Sequence, residues 1–381
     1  MSKLKFSKKF VLGVTMFFLM SLISWPSLAA EPIKIGLITP LTGPVSTYGQ
    51  SVRDAVVMGI DEINAAGGIN GRQIQLIVQD DKGDPTESAN IARRLIDRDQ
   101  VVLILGPVIT PCVMAVAPIC QTAKVPMMTP TGTGDQITAI GDYIFRAAYK
   151  DSLQGSSMAR FAIENLGLKT AAIIYDIASD YSTGLMNAFK NTFEELGGRV
   201  VTVQSYSTND SDFSAQLTSI ALRNPEALYI PDYYSTAGPI LLQANQLGID
   251  AVMLGVDGWD SPDIFELAAG NEEGGYFINH YSPLDTREAT VEFANKFTEI
   301  YGRAPDALAA LGYDAVKIVE ATLKEVKNIT REEIKVTMGQ VKNVVAATAT
   351  IDMDPEGTPY KPLVILQYQN GVAQVIDRVY P

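Results

Sequence analysis

The residues whose types and spacing could do chemistry fall into two sets. The first is the run Thr129–Pro130–Thr131–Gly132–Thr133–Gly134, where hydroxyls alternate with proline and glycine behind the apolar Val125–Met128. At the carboxyl end of a parallel strand, such a loop offers hydroxyls and backbone N–H groups to a small anion. Thr110 and Tyr48 stand in comparable loops earlier in the chain. The second set is Asp257 with Tyr181, Tyr233, Tyr234 and Trp259 in its own and neighbouring loops. One carboxylate among aromatic rings suits an ammonium. A zwitterionic amino acid would satisfy both sets at once, because hydrogen bonds to charged groups contribute about 1.5–3 kcal/mol each. The expected ligand-binding residues are therefore Tyr48, Thr110, Thr131, Thr133, Tyr181, Tyr233, Asp257 and Trp259. Trp259 and the tyrosines would cover the apolar part of the ligand.

Catalytic readings fare poorly. There is no Gly-x-Ser-x-Gly elbow, no phosphate-binding Walker loop and no His-Glu-x-x-His pair. Gly132–Thr133–Gly134 lacks the third glycine of a dinucleotide loop, since Ile137 stands in its place. A single histidine, His280, leaves little for acid–base work and is read as structural. The expectation is a binder, not an enzyme, with no cofactor and no metal. Cys112 and Cys120 are eight residues apart on an expected helix, about 12 Å along its axis, too far for a disulfide. They are read as two small buried thiols on one helical face.

The elements that must position these residues alternate along the chain. Ile33–Thr39 reads as a strand and Ser51–Ala65 as a helix stopped by Gly67–Gly68. Ile74, Leu76 and Val78 alternate as a second strand, Asp84–Pro85 opens a helix, and Val101–Leu105, Pro111–Ala123 and Val125–Met128 continue the pattern. It then begins again. Thr170–Tyr175 is a strand, Gly197–Gly198 stops the following helix, and Asp212–Phe213 opens the next. Leu228–Ile230 and Ala251–Leu254 are strands with polar loops behind them. An ordered match of four strands, four loops and two Gly-Gly stops marks two similar halves. The fold class expected is α/β, with two Rossmann-like, doubly wound parallel-sheet lobes, a ligand cleft between them and more than one hinge crossover. The C-terminal part, three helices and a hairpin turning at Asn370–Gly371, would complete both lobes. The lobes are expected at 31–150 plus 282–360 and at 151–281 plus 361–381.

The chain has 381 residues, enough for two cores, and carries a formal charge of −13. Lys3, Lys5, Lys8 and Lys9 precede an uncharged run from Phe10 to Ile23, and Ser27–Leu28–Ala29 supplies small residues at a cleavage site. Residues 1–30 read as a secretory signal peptide. Their removal would take the charge from −13 to −17, since four lysines leave. A protein this acidic is a poor partner for nucleic acid or an anionic membrane.

The sequence resembles the periplasmic leucine/isoleucine/valine-type binding proteins of ATP-driven amino-acid importers. The marks are IKIGLITPLTGPVSTYGQ from Ile33, INAAGGINGRQIQLIVQDDKGDP from Ile63, and TPTGT at Thr129. DYSTG at Asp180 and LGVDGW at Leu254 are weaker ones. The resemblance implies the type I periplasmic binding protein fold and a hinged monomer in the periplasm. It would close on an amino acid, branched-chain or otherwise apolar, and present itself to the importer's membrane permease. It also places a carboxylate-binding hydroxyl on Thr110, ammonium and carboxylate contacts on Thr131 and Thr133, cleft tyrosines on Tyr48, Tyr181 and Tyr233, and the ammonium-binding acid on Asp257. In a near member of the family that acid is a glutamate, and a disulfide partner stands where this chain has Gly83. The alternative is a sensor of another small polar solute, an amide, urea or different amino acid, feeding a signalling partner.

Overall fold

Short apolar strands and amphipathic helices alternate through residues 31–380, which the computed structural model describes; the expected signal peptide, 1–30, lies outside them. The first lobe is built from β1 (Ile33–Thr39), α1 (Ser46–Ala65), β2 (Ile74–Asp80), α2 (Pro85–Asp97), β3 (Leu103–Leu105), α3 (Thr110–Ala123), β4 (Met127–Thr129) and β5 (Ile144–Arg146). Its five strands lie in the order β2-β1-β3-β4-β5, all parallel. β3 and β4 are buried at every residue, as strands are when helices cover both sheet faces. The Asp84 side chain accepts from the Glu87 amide and Pro85 takes the first helical position, so α2 starts there. Gly68, with φ of 76°, turns the chain after α1, and a Cβ there would meet the Arg72 carbonyl at 2.2 Å.

The second lobe repeats this plan. It contains α4 (Asp151–Arg160), β6 (Thr170–Asp176), α5 (Asp180–Glu195), β7 (Arg199–Tyr206), α6 (Ser214–Ala221), β8 (Ala227–Tyr229), α7 (Tyr234–Gln246), β9 (Val252–Gly255), α8 (Asp263–Ala268) and β10 (Tyr276–Asn279). Within its sheet the order β7-β6-β8-β9-β10 is that of the first lobe, strand for strand. The chain then returns with α9 (Glu288–Tyr301), α10 (Ala307–Glu325) and α11 (Arg331–Met338), followed by β11 (Val344–Val345), β12 (Thr350–Met353) and β13 (Pro359–Tyr360). α10 lies along α1, where Gly59 faces Val316 and Gly312 faces Val52 too closely for a larger residue to enter freely. Finally β14 (Leu363–Gln369) and β15 (Val372–Val379) add an antiparallel edge to the second sheet. Asn370 and Gly371 turn that hairpin with φ of 55° and 72°. Among the described residues the chain passes between the lobes after β5, after β10 and after β13.

Several boundaries differ from expectation. α1 begins at Ser46, not Ser51, and α5 at Asp180, so Tyr48 and Tyr181 sit on the first turns of helices instead of in loops. β3 and β4 start two residues later than the apolar runs that carry them. β5 and β10, strands of three and four residues, are too short to show a period, and α4 is a further element that the apolar pattern does not mark. Cys112 and Cys120 are free and buried, but they do not share one environment. Eight residues turn the helix by about 800°, leaving the pair some 80° apart. Cys112 joins the main core and Cys120 the separate cluster between α2, α3 and the sheet.

Candidate functional site

On the first lobe, the hydroxyl loop after β4 is held from within. Thr129 Oγ1 donates to the Pro107 carbonyl at 2.7 Å and accepts from the Gly132 amide at 2.9 Å. Thr131 Oγ1 donates to the Val108 carbonyl at 2.5 Å, and Thr110 Oγ1 accepts from the Gly134 amide at 3.3 Å. Arg146, at the end of β5, is wholly buried and grips the loop from behind. Its guanidinium donates to the carbonyls of Thr133 and Gly134, both at 2.7 Å, and to Gly132 at 3.4 Å. Burial pulls its pKa down to about 10, which leaves it charged at neutral pH. Three carbonyls bound to one cation fix the loop's backbone, and Thr110, Thr131 and Thr133 line the cleft in front of it.

On the second lobe, Asp257 opens the short turn Asp257–Trp259 just after β9. Tyr181 donates its hydroxyl to Asp257 Oδ1 at 2.6 Å, and His280 Nε2 lies 3.0 Å from Oδ2. The Asp257 amide donates to Gln154 Oε1 at 2.6 Å. Burial lowers the His280 pKa to about 4, so the ring is neutral at pH 7 and its Nε2–H is the donor to the carboxylate. Tyr181 stacks on Tyr233, with centroids 4.6 Å apart and ring planes 6° apart. Gly258 leaves no room for a side chain: a Cβ would sit 2.7 Å from the Tyr181 hydroxyl and 2.8 Å from the Asp232 carbonyl.

The two lobes meet around one small cavity with about 20 Å³ of free volume. Tyr48, Thr110, Thr131, Thr133, Tyr181, Tyr233 and Asp257 all line it, with Val108, Ile109, Gly258 and Leu308 between them. Tyr48 reaches across to donate to the Gly258 carbonyl, its ring edge-on to Tyr234 and Tyr233. Thr47 and Ser261 hydroxyls bridge the same seam at 3.0 Å, and the Ala307 amide at the start of α10 donates to Asp260 at 2.8 Å. The cavity thus has a carboxylate on one wall, a hydroxyl loop on the other, and aliphatic side chains beside them.

Trp259 does not belong to this lining. Its side chain is fully buried in the second lobe, its Nε1 donates to the Ile230 carbonyl at 3.1 Å, and its carbonyl accepts from Tyr368 at 2.8 Å. The short turn sends residues two apart in different directions, and Gly255 makes room for the indole beneath. The aliphatic part of the lining is Val108, Ile109 and Leu308, which sequence reasoning did not select. Nor did it select Arg146, Gln154 or the role of His280. Arg146 carried one usable signal, an arginine at the end of an apolar run. Asp151 is a further buried acid, whose amide donates to the Thr133 carbonyl at 2.9 Å. Burial, reinforced by the nearby Asp257 charge, pushes its carboxyl well above the usual range.

Residues 32–373 match the sequence family described as periplasmic binding protein. The leucine-, isoleucine-, valine-, threonine- and alanine-binding protein of Pseudomonas aeruginosa is 33% identical over 249 residues, 65% of this chain and 66% of that one. A leucine-binding protein from Thermotoga maritima superposes with a TM-score of 0.88 at 35% identity, covering 92% of this chain and 99% of that structure. The branched-chain amino acid transporter substrate-binding protein of Streptococcus pneumoniae, solved in complex with isoleucine, gives 0.87 at 30% identity. That match covers 92% of this chain and all of the other.

Proposed function

The chain belongs to the periplasmic binding protein family, and we propose that it captures a zwitterionic, apolar amino acid of the branched-chain kind and delivers it to an ABC importer. One observation carries the reading. Asp257 and the Thr131–Thr133 loop, far apart in sequence and on different lobes, face one cavity with aliphatic side chains at its edge. In this reading Asp257 takes the ammonium, and the loop amides with Thr133 and Thr110 take the carboxylate. Val108, Ile109, Leu308 and the tyrosines cover the side chain. The names of the relatives support the same ligand class.

Closure follows from the ligand touching both walls, because only a difference in affinity between open and closed forms can shift their balance. The hinge would lie where the chain crosses, between lobes at 31–150 plus 282–360 and 151–281 plus 361–381. The closed face would then meet a membrane permease, with the protein acting as a monomer after export through a cleaved leader. No chemistry on the ligand is part of this role. Titration calorimetry of the mature protein against the twenty standard amino acids tests it. Leucine, isoleucine or valine should bind at micromolar or lower Kd, and binding by none of the twenty would end the reading.

A further inference from the structure

His280 follows β10 and is buried, with its ring laid on that of Tyr149 at a centroid distance of 3.6 Å and an angle of 18°. Its backbone amide is held by the Asn279 side chain at 2.8 Å. In this stacked position Nε2 meets Asp257 Oδ2 at 3.0 Å. A carboxylate can only accept, so Nε2 carries the hydrogen and the tautomer is set. Among the described residues Nδ1 is buried without a hydrogen-bond partner, and the ring's polar contact there is with Asp257. Tyr181 occupies the other oxygen at 2.6 Å, and Gln154 holds the Asp257 amide. His280 does not line the cavity, whereas Asp257 does.

We infer that His280 is a positioning residue for amino-acid binding: it locks the Asp257 side chain so that the free lone pairs of the carboxylate face the ligand. This rests on the amino-acid reading above. A carboxylate has about four lone-pair directions, and Tyr181 and His280 take one on each oxygen. The two that are left serve the ammonium. Without the imidazole, Asp257 would be held on one side only, and an aspartate has two torsions through which to turn away from the cavity.

L-leucine titrations of wild type, His280→Leu and His280→Gln test this. His280→Leu fills the space without a donor and should weaken binding about 10- to 100-fold, as loss of one hydrogen bond to a charged group does. His280→Gln restores an N–H and should recover to within about threefold of wild type. In an Asp257→Ala background, His280→Leu should change the residual affinity by less than about twofold. Wild-type affinity in His280→Leu, or an equal loss with and without Asp257, would overturn the inference. Failure of wild type to bind any standard amino acid would instead overturn the reading beneath it. Should His280→Leu not fold, the only histidine of the chain gives a direct spectroscopic readout in untagged protein. Its ¹⁵N spectrum should show the neutral Nε2–H tautomer at pH 7 and shift when L-leucine is added. An Nδ1–H tautomer, or no response, refutes it.

Discussion

The Tyr48 hydroxyl donates to the Gly258 carbonyl, joining the first turn of α1 to the residue after Asp257. That bond spans the seam between lobes, so it exists only when they are together. Tyr48→Phe keeps the ring packing against Tyr233 and Tyr234 and removes the bond. Affinity for leucine should fall about 2- to 10-fold, from a loss of roughly 0.5–1.5 kcal/mol. Calorimetry checks the affinity, and X-ray scattering should show a more open average shape at subsaturating leucine.

Asp257→Ala should cost more. In the proposed site it would leave the ammonium unpaired in a closed cleft, and it strips Tyr181 and His280 of their acceptor. The loss expected is about 3–5 kcal/mol of leucine affinity. Circular dichroism should show an intact fold. Unchanged affinity would mean that this carboxylate does not hold the ammonium.

The loop threonines should separate into two kinds. Thr131 spends its hydroxyl on the Val108 carbonyl, so Thr131→Val should reduce folding stability by about 1–3 kcal/mol. Thr133 lines the cavity, and Thr133→Val should weaken leucine binding by a similar amount with a smaller change in Tm. Reversed effects would exchange the two roles.

Arg146→Met removes the cation from three loop carbonyls at once. Two short charge-assisted bonds at about 1.5–3 kcal/mol each give an expected loss of at least 3 kcal/mol in stability. Urea unfolding should show it as a lower midpoint at unchanged slope.

Asp232 should make stability fall as pH rises. It is buried beneath the second lobe's loops, accepts from the Tyr206 hydroxyl and the Tyr233 amide, and burial pushes its pKa up to about 7. In the unfolded chain an aspartate loses its proton near 3.9, so between the two values the folded form binds more protons. The stability is complete below about pH 4 and lost as pH rises through 7. Asp232→Asn cannot titrate and should gain up to about 4 kcal/mol relative to wild type between pH 4 and 8. His280 has the opposite sign: its pKa is lowered to about 4, so its contribution is complete above about 6.5 and lost as pH falls through 4. Thermal melts of Asp232→Asn and His280→Gln across this range should tilt in opposite directions.

What could be read in one dimension was whatever depends on neighbours along the chain. Apolar runs bounded by Gly-Gly stops, with the same order in both halves, were enough to set the two-lobed parallel plan, because each half must bury its own sheet. The hydroxyl loop and Asp257 were legible for a related reason: parallel strands put their following loops at one end of the sheet. Only the tertiary structure decided which way each side chain turns. Trp259 is two residues from Asp257 yet points into the core, since Gly255 leaves it a space and Ile230 an acceptor. Gln154 and His280 act on Asp257 from 103 and 23 residues away, and no local pattern signals such a bond. Periodicity reports which face of an element is buried, while a buried hydrogen bond depends on where two distant elements come to rest against each other.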